Sequence, residues 1–285
     1  MTTSVRDTVA CRAPFPYPGS KYVMASFINT RFAHVLNYVE PFAGSLAVLL
    51  KRQPRGVETI NDADGHIVNV WTAIQKRPKA LLECLTSYPI AESVQRALHE
   101  RVRHKQPANP LEPDLELAAA WLYARAWSIA GNGGPHMQLS KAGGQLIEYT
   151  TGAWRDDVTL FATLSALQAR LRNVRMMHGD WTRAVKPSIT EAHPGVTAVF
   201  LDPPYQGVED RYASGESVSK AVRRYCAQNA DNSKLAICVC GYGDEHADLE
   251  PLGYERVAWT QTRSKNGADE ALWFSPNARD EGRLL

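Results

Sequence analysis

An apolar run in this chain leads through one aspartate into two consecutive prolines, which limits the structure that the run can adopt. Residues 198–201 read Ala-Val-Phe-Leu, and Asp202, Pro203 and Pro204 follow directly. Such a β-branched and aromatic run predicts a buried parallel strand, which the prolines end because they lack N–H donors and fix φ. The Asp202 carboxylate is therefore expected at the carboxyl edge of a sheet, where open α/β folds place their chemistry.

An aromatic residue, Tyr205, completes this Asp-Pro-Pro-Tyr sequence. The Asp202 carboxylate and a backbone carbonyl, that of Pro203, can accept the two hydrogens of a planar amine, and a tyrosine ring can stack on its plane. The amino group of a nucleobase fits this set of groups. For an isolated match, the alternative is a strand followed by a tight turn and no site at all.

A second pattern of this kind lies upstream, where Tyr38-Val39 leads into Glu40-Pro41-Phe42-Ala43-Gly44-Ser45. A turn of small residues lets a ligand approach the backbone, and the first N–H groups of the next helix face it. Asp62 ends another short strand roughly 20 residues on, a spacing at which a carboxylate can accept ribose hydroxyls. This pattern indicates a cofactor that contains adenosine, although an aspartate at a strand end can also cap the following helix.

Strand-like runs alternate with helical patterns along much of the chain. The runs lie near residues 37–42, 57–60, 174–178, 196–201, 235–240, 256–262 and 271–274. One helical pattern places leucines at the 4,3,4 spacing of a single apolar face, namely Leu160, Leu164, Leu167 and Leu171. This alternation predicts an α/β fold with a doubly wound, Rossmann-like sheet.

The stretch 88–154 breaks the alternation, with a helical pattern over 116–129 followed by glycine-rich loops. We therefore predict a core formed by residues 1–87 and 155–285, with 88–154 inserted as a mainly helical subdomain. A helical decoration that only stabilises the sheet is the alternative.

Composition adds few constraints. The net charge of +2 neither requires nor excludes nucleic acid, because binding needs a local basic face. The odd number of cysteines, 5, argues against a disulfide framework and favours a reducing compartment. We find no apolar run of membrane length and no signal-peptide core, so a cytoplasmic protein without membrane contact is expected.

The order of the motifs resembles that of the DNA adenine-N6 methyltransferases of the DNA adenine methylase type. The motifs are Pro16-Tyr17-Pro18-Gly19-Ser20-Lys21, the Glu40–Ser45 turn, Asn61-Asp62-Ala63-Asp64, His178-Gly179-Asp180-Trp181 and Asp-Pro-Pro-Tyr at 202–205. The resemblance extends from about residue 16 to about 276, because residues 270–275 look like the family's last strand. It implies that the protein transfers a methyl group from S-adenosylmethionine to adenine in double-stranded DNA and requires no metal. The enzyme would act either alone or as part of a restriction-modification system.

The resemblance also implies roles for individual residues. Those of the catalytic motif are Asp202, Pro203 and Tyr205, which would bind the target amine and stack on a flipped base. Those expected to bind the cofactor are Tyr17, Lys21, Glu40, Pro41, Phe42, Gly44, Ser45, Asp62, Asp180 and Trp181. Simpler interpretations are a solvated cation for Lys21 and an exposed Gly-Asp turn for Asp180. Asp64 is better explained as the N-cap of the helix that follows.

One position departs from the family pattern. The family commonly has a second glycine two residues after Gly44, whereas this chain has Leu46. If the backbone there needs positive φ, a leucine would push a ligand away from the first helical turn, so the turn is either rearranged or tolerates a side chain.

The resemblance implies that the insert recognises DNA. A basic cluster in it, Arg101, Arg103 and Lys105, is a candidate for phosphate contacts, and Asn132 and Gln138 are candidates for sequence choice. Acidic residues flank the cluster, so a solvated helix face is the alternative.

Other functions remain open at this point. A similar pocket would serve a cytosine-N4 methyltransferase, an RNA amino-methyltransferase or an enzyme that methylates a small amine. Asp202 favours adenine as the target, because a serine often replaces this aspartate in cytosine-N4 enzymes. A noncatalytic DNA-binding protein would have no use for the Asp-Pro-Pro-Tyr sequence. A nicotinamide-dependent dehydrogenase would need GxGxxG after the first strand, which Gly44-Ser45-Leu46-Ala47 does not provide.

Overall fold

The structure is a computed structural model that describes residues 11–107, 112–128, 134, 157–204, 217–263 and 269–278. The strands within these residues are β1 Asn37–Glu40, β2 Glu58–Asp62, β3 Arg175–His178, β4 Thr197–Leu201, β5 Leu235–Tyr242, β6 Glu255–Arg263 and β7 Asp269–Phe274. Each predicted strand is confirmed to within about two residues at its ends.

Two of the longer helices begin at an aspartate that caps them. The bounds of the helices are α1 Ala25–Arg31, α2 Ala47–Lys51, α3 Gly65–Lys76, α4 Pro78–Thr86, α5 Glu92–His104, α6 Leu115–Trp127, α7 Asp157–Leu171, α8 Pro187–Thr190 and α9 Val218–Gln228. Asp64 caps α3 by accepting from the His66 N–H at 2.9 Å, as predicted, and Asp114 caps α6 in the same way. All four leucines of the predicted α7 face are buried.

The strands described form one mixed sheet in the order β3-β2-β1-β4-β5-β7-β6. β1 is parallel to both β2 and β4, β4 is parallel to β5, and β7 runs antiparallel between β5 and β6. The strand order reverses between β1 and β4, and open α/β sheets bind ligands outside the carboxyl ends of the strands at such a point. The predicted α/β class with a Rossmann-like sheet is confirmed, whereas the inserted recognition subdomain stays a prediction.

The chain divides into two compact units. The first consists of Met1–Ser26, Ala43–Gln53 and Asp62–Gly179, and the second of Phe27–Phe42, Pro54–Asn61 and Asp180–Leu285. The predicted division at 1–87, 88–154 and 155–285 was drawn from sequence patterns, whereas the two units are defined by contacts, so the predicted division stays a prediction. Of the predicted insert, residues 108–111, 129–133 and 135–154 lie outside the described residues.

Each unit has its own apolar core. In the first unit α6, rich in alanine and almost wholly buried, packs against α3, α4 and α5. In the second unit, apolar side chains of β4 and β5 such as Val199 and Ile237 pack with Val222 of α9 and Trp273 of β7. This core fixes β4 along its whole length, because all five of its residues are buried.

Candidate functional site

The carboxyl ends of β1 and β4 bring two of the predicted motifs to neighbouring positions within the second unit. β1 pairs with β4 in a parallel register in which Val39 lies opposite Val199. Glu40-Pro41-Phe42 and Asp202-Pro203 therefore leave adjacent strands at the same edge of the sheet. Asp202 is half-buried and Pro203 is buried, whereas Tyr205 lies outside the described residues.

Glu40 is held by its own strand. Its side chain is buried and accepts a hydrogen bond from the Tyr38 hydroxyl at 2.9 Å. The carbonyl of Pro41 accepts from the Asn61 amide at 3.1 Å. These bonds fix the chain at the point where it leaves β1, so the groups at this edge are preorganised.

Phe42 and Trp181 form an aromatic pair in the same unit. Their ring centroids are 5.9 Å apart and their planes differ by 30°, a stacked arrangement. The buried Trp181 ring also meets Tyr225 edge-on at 5.9 Å. Rings fixed on two sides provide a rigid apolar wall suited to a flat ligand.

Asp180, next to Trp181, is exposed, and its carboxylate caps a short 3₁₀ turn over Trp181–Arg183. It accepts from the Thr182 N–H at 2.9 Å and also from the Thr182 hydroxyl. The simpler interpretation of a Gly-Asp turn thus describes its local contacts, and its role beside the adenine of a cofactor stays a prediction.

Within the first unit, the turn after β1 is centred on Gly44, which has a φ of +44°. Its N–H donates to Asp62 Oδ2 at 2.9 Å, and its carbonyl accepts from the Trp71 indole N–H at 2.9 Å. Both polar groups of this buried residue are therefore paired with side chains, which fixes the peptide planes on either side of it.

Tyr17 packs directly against this glycine. A Cβ added at Gly44 would lie 2.8 Å from Tyr17 Cε1, closer than real Cβ contacts. Glycine is needed here both for its positive φ and for the space that the tyrosine ring occupies. The structure thus brings together three predicted cofactor residues, namely Tyr17, Gly44 and Asp62.

Leu46 also has a positive φ, 53°, and no other residue except glycine has one in the part of the chain that the structure describes. The left-handed conformation costs a residue with a Cβ roughly 1–2 kcal/mol. The side chain is fully buried. The departure from the family pattern is thus tolerated without a change to ordinary backbone, because the leucine packs into the protein interior.

Asp62 ends β2, and the backbone uses both of its carboxylate oxygens. Oδ2 accepts from Gly44, and Oδ1 accepts from the Asp64 N–H at 2.9 Å. Burial raises the pKa of Asp62 to about 6, although these N–H donors oppose the shift. Each carboxylate oxygen has a second acceptor site, so Asp62 can still accept from a ligand.

The opening motif is tied to the same turn. Lys21 is buried, and its ammonium donates to the Gly19 carbonyl at 2.7 Å. The Ser45 hydroxyl donates to the Ser20 hydroxyl at 2.9 Å. The simpler interpretation of Lys21 as a solvated cation is wrong, because its side chain is only 3% exposed.

The candidate DNA contacts carry acidic partners. Arg101 pairs with Glu116, Arg103 lies 3.8 Å from Glu100, and Lys105 lies 2.7 Å from Asp114. These pairs reduce the positive charge available to a phosphate, and the assignment of the cluster to DNA stays a prediction. The candidates for sequence choice, Asn132 and Gln138, lie outside the described residues.

Two residues at the Gly44 turn were missed from the sequence. Trp71 lies on the buried side of α3, and its indole N–H needs an acceptor, which it finds at Gly44. Arg125 is the only lysine or arginine of α6, and its guanidinium lies near the Tyr17 ring. A lone cation in an alanine-rich helix was the signal that could have revealed it.

Over the described residues, the structure contains no group of three or more histidine, cysteine or acidic side chains arranged to hold a metal ion. Nor is any described helix long and apolar enough to cross a membrane.

Residues 17–130 match the family described as D12 class N6 adenine-specific DNA methyltransferase. The matched segment contains Tyr17, the Gly44 turn, Asp62 and the helices up to α6. No curated protein matches the chain. Methyltransferases of this type depend on S-adenosylmethionine and act on DNA. The match covers less than half of the chain, and together with the mixed α/β sheet and its Rossmann-like strand order it supports an adenine-specific DNA methyltransferase.

Proposed function

We propose that this protein transfers a methyl group from S-adenosylmethionine to the N6 nitrogen of a specific adenine in double-stranded DNA. The observation that carries the proposal is the arrangement at the carboxyl ends of β1 and β4, where Asp202-Pro203 and Glu40-Pro41-Phe42 leave adjacent parallel strands. This edge is the point at which the strand order reverses, and it offers a carboxylate and backbone carbonyls beside an aromatic wall.

Asp202 and Pro203 act on the amine. The N6 lone pair is delocalised into the adenine ring, so the enzyme must raise its nucleophilicity. The carboxylate and the carbonyl accept the two N6 hydrogens, favour a pyramidal nitrogen and stabilise the positive charge that develops as the N–C bond forms. S-adenosylmethionine, when bound, supplies an electrophilic methyl group, so no covalent enzyme intermediate is required.

The residues of the Gly44 turn fit the ribose and methionine parts of the cofactor. Asp62 accepts the ribose hydroxyls with the lone pairs that Gly44 and Asp64 leave free. Tyr17 and Ser45 keep the turn in one conformation, through the ring contact with Gly44 and the Ser45–Ser20 hydrogen bond. We assign Lys21, which is buried in the opening motif and donates to Gly19, to the same cofactor site.

Phe42, Trp181 and Asp180 have side chains suited to the flat base of the cofactor. Phe42 and Trp181 supply an apolar wall whose rings are already stacked, and Asp180 is an exposed carboxylate that can accept from an amino group. Glu40 and Pro41 hold the end of β1 in place through the hydrogen bonds that they accept.

The target adenine must leave the duplex before its amine can reach Asp202, because N6 is paired and stacked in double-stranded DNA. We assign Tyr205 to stacking on the flipped base. The predicted insert at 88–154 recognises the site, with Asn132 and Gln138 as the candidates for base contacts and Arg101, Arg103 and Lys105 for phosphates.

The test is a methyl-transfer assay with purified protein, radiolabelled S-adenosylmethionine and matched substrates: DNA duplexes, the same sequences as RNA, and duplexes lacking adenine. We expect label only in DNA that contains adenine, and digestion to nucleosides should yield N6-methyladenine. N4-methylcytosine, or transfer to RNA alone, would overturn the proposed substrate. Binding of DNA without any release of S-adenosylhomocysteine would point to a noncatalytic DNA-binding protein.

A further inference from the structure

Arg125 is a cation set among aromatic rings near the end of α6. Its neighbours along the helix are almost all buried and apolar. The guanidinium carbon lies 4.7 Å from the centroid of the Trp121 ring and 5.6 Å from that of Tyr17. Both distances are within the range of a cation–π interaction. The guanidinium therefore joins α6 to the segment that carries Tyr17.

Two lines of contact run from Arg125 to the same glycine. The shorter passes through Tyr17, whose ring occupies the space where Gly44 would carry a Cβ. The longer passes from Trp121 to Phe15, with centroids 5.0 Å apart, and from Phe15 to Trp71, 5.4 Å apart. Trp71 then donates to the Gly44 carbonyl. The two lines start at Arg125 and meet again at Gly44, so the contacts form a closed loop that includes the turn.

We propose that Arg125 is a positioning residue that holds the Tyr17 ring against the Gly44 turn and thereby sets the affinity for S-adenosylmethionine. This inference rests on the proposed function of that turn in cofactor binding. An aromatic side chain that is held in one rotamer before the ligand arrives loses less conformational entropy when the ligand binds. Without the guanidinium, the cofactor would have to order Tyr17 itself.

The chemistry of arginine suits this role better than that of lysine. A planar guanidinium can stack on a ring and is weakly hydrated, whereas an ammonium is compact and strongly hydrated. Burial lowers the pKa of Arg125, and the nearby Tyr17 and Asp64 oppose that shift. Lysine at this position should therefore preserve the charge but restore only part of the ring contact.

The test compares Arg125→Met, Arg125→Lys and the control Arg172→Met, in which an exposed arginine of the same unit is replaced. Cofactor affinity is measured by calorimetry, and kcat and KM by methyl transfer. Arg125→Met should weaken S-adenosylmethionine binding about 3- to 30-fold, with kcat at saturating cofactor within about twofold of the parent. Arg125→Lys should recover part of the affinity, and Arg172→Met should match the parent.

A double-mutant cycle with Tyr17→Leu separates positioning from a general loss of structure. If Arg125 acts through the ring, the two substitutions are non-additive, and Arg125→Met has little further effect once the ring is gone. Additive effects, or unchanged affinity in a folded Arg125→Met variant, overturn the inference. If Arg125→Met does not fold, the test uses Arg125→Lys. The inference is then overturned if Arg125→Lys has the cofactor affinity of the parent and its effect is additive with that of Tyr17→Leu. A parent protein that binds no S-adenosylmethionine would instead contradict the proposed function.

Discussion

The turn at residues 43–46 contains two residues with positive φ, Gly44 and Leu46, whereas the chain that leaves β4 through Asp202 has none as far as Pro204. The turn is fixed by side chains from other parts of its unit, among them Asp62 and Trp71. The end of β4 is fixed by its own sequence, because a fully buried strand runs into two prolines.

The comparison shows that two parts of a site can be specified in different ways. The end of β4 is a local feature and can be recognised from a few consecutive residues. The turn is a tertiary feature, because its conformation depends on partners that are 18 and 27 residues away in the chain. The locally specified region should therefore tolerate loss of its functional side chain without loss of structure, whereas changes at the turn should affect both stability and binding.

The largest expected effect is on catalysis at the end of β4. Asp202→Ala should lower the rate of methyl transfer at least about 100-fold, because a charged acceptor of the target amine is removed. The melting temperature should stay close to that of the parent, and cofactor affinity should stay within roughly tenfold. Asp231→Ala, at an exposed position of the same unit, is the matched control. Activity within tenfold of the parent would contradict the role of Asp202.

At the turn, the largest expected effect is on stability. Leu46→Ala should lower the free energy of unfolding by about 2–5 kcal/mol, because a fully buried side chain is truncated and the left-handed strain remains. Leu46→Gly removes the same side chain but relieves roughly 1–2 kcal/mol of strain, so it should be the more stable of the two. Urea denaturation measures both values.

Leu50, a buried residue of α2, provides the control for this pair. It has no positive φ. Glycine there should be less stable than alanine by about 1 kcal/mol, the usual order in a helix. If glycine is also the worse substitution at Leu46, the left-handed conformation carries no strain.

A smaller effect is expected for Asp62→Ala, which should weaken S-adenosylmethionine binding by about 1–3 kcal/mol because the ribose hydroxyls no longer have their acceptor. The same change removes the acceptor of the Gly44 N–H, so part of the effect comes from the turn itself. Asp64→Ala is the matched control, because it removes the cap of α3 and should lower stability while cofactor affinity is retained. Unchanged calorimetric affinity in Asp62→Ala would rule out its contact with the cofactor.

The raised pKa of Asp62, about 6, predicts a pH dependence. The ionised carboxylate is the better acceptor, so cofactor affinity should be full above that pH and should fall as the pH drops through it. Folding has the opposite sign: the folded-state pKa lies above the ordinary value of 3.8, so ionisation destabilises the fold progressively between about pH 4 and pH 6. Asp62→Asn should abolish both dependences, and a residual pH profile of the same shape would assign the titration to another group.

The smallest effect is expected from the basic cluster of Arg101, Arg103 and Lys105. Replacing all three should lower DNA affinity and reduce the salt slope by about 0.9 for each phosphate that is no longer neutralised, with little change in sequence choice. Because Glu116 pairs with Arg101, Glu116→Gln should raise DNA affinity slightly if that arginine meets a phosphate. If neither variant changes affinity or salt slope, the cluster is a solvated helix face.

The features that could be predicted from the sequence are those with a short-range cause. Hydrophobic runs located the strands, the 4,3,4 spacing located the buried face of α7, and the Asp64 cap followed from its place before an apolar pattern. The positive φ of Leu46 could not be predicted, because nothing in the residues around Leu46 requires the left-handed conformation. The Trp71 and Arg125 contacts join segments that are distant in the chain, and single-sequence patterns carry no record of such pairings.

The Trp71–Gly44 hydrogen bond has a practical consequence for following the enzyme in solution. The indole N–H of Trp71 would sense the Gly44 peptide directly, because the ring nitrogen is 2.9 Å from its carbonyl oxygen. In protein whose indole nitrogens are isotopically labelled, the Trp71 N–H resonance, identified by its disappearance in Trp71→Phe, becomes a spectroscopic reporter for one peptide group of the proposed cofactor site. Titration with S-adenosylhomocysteine should shift this signal, whereas DNA that does not disturb the turn should leave it in place.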